Sequence, residues 1–151
     1  MPNRAKENNV TVSSILCTAF SKVLGYWSNQ PKHAINLTVF NRYPFHKDVN
    51  KIIGDFTSCM LIESDLNQSS DFWENCNNIQ SNIMEALENR YYNGIEFLRE
   101  LSKYNHMENK AIMPIVFTSM IFDESEEYKD GSQIIGETKV EMSQTSQVFL
   151  D

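Results

Sequence analysis

Residues 112–122 read IMPIVFTSMIF, an almost unbroken apolar run. A strand with one wet face alternates apolar and polar side chains, so this run predicts a central strand covered on both faces. Such a strand needs neighbours in a sheet and helices packed on it. Residues 34–40 supply one neighbour: Ile35, Leu37 and Val39 alternate with Asn36 and Thr38, which predicts one buried and one polar face. Residues 57–66 supply another, with Ser58, Met60, Ile62 and Ser64 on one side and Cys59, Leu61, Glu63 and Asp65 on the other.

Three segments carry helical spacing. In residues 11–28, Val12, Ile15, Leu16, Ala19, Val23, Leu24 and Trp27 form one expected buried face, and Pro31 closes the segment. Ser69, Ser70 and Asp71, followed by Glu74, mark a helix start, with Phe72, Cys76, Ile79, Ile83 and Leu87 on one face and an end near Arg90. Residues 94–104 place Ile95, Leu98 and Leu101 together. Between the first two strands, residues 41–54 have no period and read as a long loop of the kind that often carries function. Residues 123–129 read as an acidic loop and residues 134–150 as a strand broken by polar residues. The order α-β-β-α-α-β-β predicts an α/β (α+β) fold, a mixed sheet flanked by helices.

The chain has 151 residues, 41% hydrophobic and 22% charged, which suits a single domain over residues 1–151. Thirteen Lys and Arg against 20 Asp and Glu give a net charge of -7, the wrong sign for a surface that neutralises nucleic-acid phosphates. Three cysteines without a CxxC pair, an N-terminus without an apolar leader and no run of membrane-spanning length predict a soluble cytoplasmic protein with reduced thiols. The methionines at 60, 84, 107, 113, 120 and 142 are expected to fill gaps in the core.

Chemistry has few places to sit. His33, His46 and His106 have no metal-ligand spacing around them, so no metal site is expected, and phosphate loops, GxSxG and HExxH are absent. Two polar groups interrupt apolar strands: Thr118-Ser119, and Gln144 to Gln147 ahead of Val148, Phe149, Leu150 and Asp151. Buried hydroxyls and amides must find partners or lose roughly 1–3 kcal/mol each. Two readings stay open: they bond across the sheet and to loops, or they line a substrate channel of hydroxyls and one carboxylate. Asp55, where the long loop meets a strand, suits turn capping or a binding loop, and capping is the commoner use.

Three of these segments together resemble the heterocyclisation variant of nonribosomal peptide synthetase condensation domains. They are FNRYPFHKDVNKIIGDFTS (residues 40–58), PIVFTSMI (114–121) and SQTSQVFLD (143–151), in the family's order, preceded by the similar helix VTVSSILCTAFSKVL (10–24). The GDFTS motif favours the cyclising subtype over the plain amide-forming one. One departure is Ser146, where the family usually has Pro.

The resemblance implies half of a two-lobed fold like chloramphenicol acetyltransferase. By that resemblance the chain is expected to be the C-terminal lobe. The N-terminal lobe's DxxxxDxxS signature is missing, so a fragment that is inactive alone is expected. It also implies the reaction: an acyl thioester is joined to a carrier-bound Cys, Ser or Thr, and the new amide is cyclodehydrated to a thiazoline or oxazoline, as in siderophore or toxin biosynthesis. Thr118 and Asp151 match the cyclodehydration pair; Asp55, Thr57, Ser119, Gln144 and Gln147 match channel positions. The resemblance further implies that no cofactor is bound directly, since substrates would arrive on the phosphopantetheine of carrier proteins, and the other expected partner is the N-terminal lobe. A catalytically inactive, carrier-binding remnant and a lobe of a plain condensation domain are the alternatives.

Overall fold

A computed structural model describes residues 1–66, 71–107 and 112–119. The elements are α1 (Pro2–Glu7), α2 (Val12–Ser28), β1 (Lys32–Phe40), β2 (Thr57–Asp65), α3 (Phe72–Glu88), α4 (Gly94–Tyr104) and β3 (Val116–Phe117), with a short 3-10 turn at Val49–Lys51. The sheet is mixed, in the order β2-β1-β3: β1 runs antiparallel to β2 and parallel to β3. No helix among the described residues is long and apolar enough to cross a membrane.

Each long helix begins on a side-chain cap. The Thr11 hydroxyl accepts the Ser14 N–H, the Asp71 carboxylate accepts the Trp73 N–H, and the Asn93 carbonyl accepts the Glu96 N–H. Asn29, in the left-handed region at φ 55°, closes α2 two residues before Pro31. Helices α2 and α3 lie against one face of the sheet. There Cys17, Ile35, Ile62 and Ile79 form a core cluster, with Phe20, Ile83, Ala86 and Phe117 packed around it. A second cluster, Ala5, Val10, Ile15 and Cys76, fastens α1 to the helix pair. No periodic signal announced α1, because only Ala5 of its six residues is buried.

Two expectations need correction. The buried face of α2 is not the large apolar stripe. Ser14, Ile15, Cys17, Thr18, Ser21 and Gly25 are buried, whereas Val23 and Trp27 are 57% and 84% exposed. Small residues let α2 lie close to its neighbours, and Thr18 donates its hydroxyl proton to the Ser14 carbonyl (2.7 Å), so the polar atom is satisfied inside the helix. The apolar run at 112–122 does not begin a strand at Ile112. Met113 has φ 57° and Pro114 has no N–H, so pairing starts only around Ile115, whose carbonyl accepts the Asn36 N–H. In the described sheet the central strand is β1, and β3 pairs with it alone. Among the methionines, Met60 is buried as expected but Met84 is 45% exposed.

Candidate functional site

The face of the sheet turned away from α2 and α3 holds the candidate chemistry. Strand alternation puts Asn36 and Thr38 of β1, Thr57 and Cys59 of β2 and Thr118 just after β3 on that face. Thr38 pairs with Cys59 on one side, and on the other Thr118 follows the Leu37–Phe117 pair and reaches Thr38 through its hydroxyl, so the three form a row across the sheet. Thr118 donates its hydroxyl proton to the Thr38 hydroxyl at 3.0 Å, on the exposed side of the sheet. Asn36 donates its side-chain amide to the Met113 carbonyl at 2.8 Å, which holds the turn leading into β3.

Ser119 goes the other way. Its hydroxyl lies 2.8 Å from that of Ser13 in the first turn of α2, so adjacent residues of VFTS serve opposite faces. The segment is therefore held from both sides, by β1 through Thr38 and by α2 through Ser13.

The GDFT residues lie where the ladder ends. Asp55 accepts the Thr57 N–H at 2.8 Å, closing a turn immediately before β2. This hydrogen bond, reinforced by the Thr57 hydroxyl, holds the Asp55 carboxyl below the usual carboxylate range. Thr57 is opposite Phe40, at the same end of the sheet as Thr38 and Thr118. Two strand spacings, roughly 10 Å, separate the β2 and β3 lines, so Thr57 shares the face of Thr118 without touching it.

The long loop has an order that composition did not reveal. Arg42 donates to the carbonyls of Val49 (2.9 Å) and Ile52 (3.0 Å) and lies 4.0 Å from the centre of the Phe56 ring. Tyr43 stacks on Tyr91 at 4.7 Å, with Arg90 over its ring at 4.3 Å, which ties the loop to the α3–α4 junction. The NRYP residues thus hold the chain that leads into GDFT. Of the other expected site residues, Gln144, Gln147 and Asp151 lie outside the described residues. Asn36, Thr38, Ser13 and Arg42 were not anticipated. For Asn36 and Thr38 the available signal was their position on the polar face of a strand next to the hydroxyl-bearing run.

The condensation-domain family model matches residues 2–149. The chain belongs to the nonribosomal peptide synthetase condensation-domain family. Its mixed sheet flanked by helices is the chloramphenicol-acetyltransferase-like arrangement of the solved condensation domains. Bacitracin synthase 1 of Bacillus licheniformis is 42% identical over the whole of this chain, which spans 3% of that protein. Phenyloxazoline synthase MbtB of Mycobacterium tuberculosis is 32% identical over 98% of the chain, which spans 10% of it. A crystal structure of the EpoB cyclization-docking bidomain from Sorangium cellulosum superposes with a TM-score of 0.68 at 34% identity, covering 79% of this chain and 24% of that one. This condensation-family chain therefore spans a small part of each relative.

Proposed function

We propose that the chain is the C-terminal lobe of a condensation domain that joins a carrier-bound acyl group to carrier-bound Cys, Ser or Thr and then closes the amide into a thiazoline or oxazoline. The observation that carries this reading is the VFTS segment, whose Thr118 hydroxyl is exposed on the sheet face away from α2 and α3 and hydrogen-bonded there to Thr38. The names of two relatives support the ring-forming step: one is a phenyloxazoline synthase and the other contains a cyclization domain.

In the first step the acceptor amine attacks the acyl thioester, forming the amide and releasing the donor's pantetheine thiol. The acceptor's side-chain thiol or hydroxyl then adds to the amide carbonyl carbon. That carbonyl oxygen takes up two protons, in net the one given up by the attacking thiol or hydroxyl and the one lost from the nitrogen, and leaves as water as the C=N bond forms. No outside oxidant or reductant is consumed. Charge develops on the carbonyl oxygen, so a fixed hydroxyl donor beside an acid/base carboxylate suits the reaction. Thr118 is assigned the donor's role, orienting the carboxylate or the amide oxygen, and Asp151 that of acid/base. Asp55, Thr57, Ser119, Gln144 and Gln147 are assigned to the channel through which the phosphopantetheine arms of two carrier proteins reach the site. An N-terminal lobe completes that channel, and no other cofactor is required.

The test is the mass of the carrier-bound product when this chain, a complementary N-terminal lobe and two loaded carrier proteins are mixed. A product one water lighter than the linear amide, absent with Asp151→Ala, supports the assignment. Linear amide alone would make this a plain condensation lobe. If neither product forms from folded, associated lobes, the lobe is catalytically inactive and the site assignment falls.

A further inference from the structure

We infer that Thr38 is the positioning residue for Thr118 and sets the rate of ring closure relative to amide formation. The inference rests on the cyclodehydration reading above and adds a residue to it. Three observations converge on β1. Thr38 and Thr118 each directly follow the last residue pair of the parallel β1–β3 register, Leu37 with Phe117, and so fall on the face away from α2 and α3. Their hydroxyls are 3.0 Å apart. Two residues earlier on the same face, Asn36 holds the Met113 carbonyl at 2.8 Å, so β1 fixes both the approach to β3 and the hydroxyl that follows it.

The chemistry follows from what hydroxyls can do. Each has one proton to give and two lone pairs to receive. At rest Thr118 gives its proton to Thr38. When negative charge grows on the amide oxygen, the pair can reverse: Thr38 donates to Thr118, and the Thr118 proton turns to the oxyanion. A donor that itself receives a hydrogen bond is polarised and binds the developing charge more strongly. The proton on Thr38 remains on Thr38 throughout, and no bond to it forms or breaks. Thr38 therefore acts through Thr118, and only in the steps where the carbonyl oxygen gains charge during ring closure.

The experiment uses the same reconstituted assay with Thr38→Val, which keeps the β-branched shape and removes the hydroxyl, and Thr38→Ser, which keeps the hydroxyl. Losing one hydrogen bond to a charge-stabilising group predicts a ring-to-linear-amide ratio about fivefold to twentyfold lower in Thr38→Val. Amide formation is expected to continue at the original rate, and Thr38→Ser to restore the ratio to within about twofold. A purely structural role would lower amide and ring together and leave their ratio unchanged; that result overturns the inference. An unchanged ratio in a fully active Thr38→Val protein overturns it as well. Absence of any ring from the unmodified chain overturns the cyclodehydration reading first, and this inference with it, so the two failures are distinguishable.

Discussion

Gln80 of α3 reaches across to Thr11 and accepts its backbone N–H at 2.6 Å, so one helix caps the start of another. The same side chain donates to the Asn9 carbonyl at 2.8 Å and accepts the Ser14 hydroxyl at 3.4 Å. Helix N-termini leave backbone donors without intrahelical partners, and here a residue 69 positions away supplies one of the acceptors. Gln80→Ala is expected to cost ~1–2 kcal/mol. Gln80→Glu keeps the acceptor but loses the donor to Asn9, so it should fall between the two. Urea unfolding of the three proteins at neutral pH orders them; equal midpoints for Gln80→Ala and the original chain would show that the bridge contributes nothing.

Two helical glycines should respond oppositely to alanine. At Gly94, the first residue of α4, an added Cβ would stand 2.9 Å from the Cys59 carbonyl oxygen and 3.1 Å from its sulfur. Backbone cannot yield cheaply at that distance, so Gly94→Ala should destabilise by ~1–3 kcal/mol and loosen α4 from β2. At Gly25 in α2 the nearest atom, the Gln30 carbonyl oxygen, is 3.4 Å away, an ordinary contact. Gly25→Ala is therefore expected to be neutral or to stabilise by up to ~1 kcal/mol through helix propensity. Thermal unfolding of the pair separates a steric origin from a propensity origin, because propensity alone would raise both.

The spacing of caps and apolar residues located α2, α3 and α4 almost to the residue, because those signals are local. Burial on α2 was not legible in the same way. A hydrophobicity reading favours Leu16, Val23 and Trp27, whereas the observed interface uses Ser14, Cys17, Thr18 and Ser21, whose value is their small size. The start of β3 was misread for a related reason: an apolar run reports burial, but Pro114 and the left-handed Met113 decide where pairing can begin. At the candidate site, Thr118 was visible as a hydroxyl inside an apolar strand. Its partner Thr38 was not, since a strand's register to a segment some 80 residues away is a tertiary property.

The three thiols should differ in reactivity according to burial. Cys17 and Cys76 are fully buried and Cys59 is half-buried, all unpaired. Burial pushes the Cys17 thiol up to about 11, and raises those of Cys59 and Cys76 as well. The reactive form is the thiolate, so at pH 8 a disulfide reagent is expected to label Cys59 first and slowly, with Cys17 and Cys76 reacting only on unfolding. Mass mapping of the labelled peptides over time checks the order. Early labelling of Cys17 would mean that α2 opens locally from the sheet.

The turn at Asp55 predicts a specific acid dependence. Its carboxylate accepts the Thr57 N–H, and this bond favours the charged form, lowering the pKa from the ordinary 3.8. A group whose folded pKa is depressed contributes fully above its unfolded value and loses that contribution as the pH falls through the folded one. The stabilisation from the Asp55 charge is thus expected to be complete above about pH 4 and to fade below it. Asp55→Asn preserves an oxygen acceptor for the Thr57 N–H without a titrating group, so its stability relative to the original chain should improve steadily as the pH drops below 3.8. Carboxyl-carbon NMR titration of Asp55 gives the direct reading: a midpoint below 3.8 agrees with a populated turn, and one at or above it would show that the turn before β2 is open in solution.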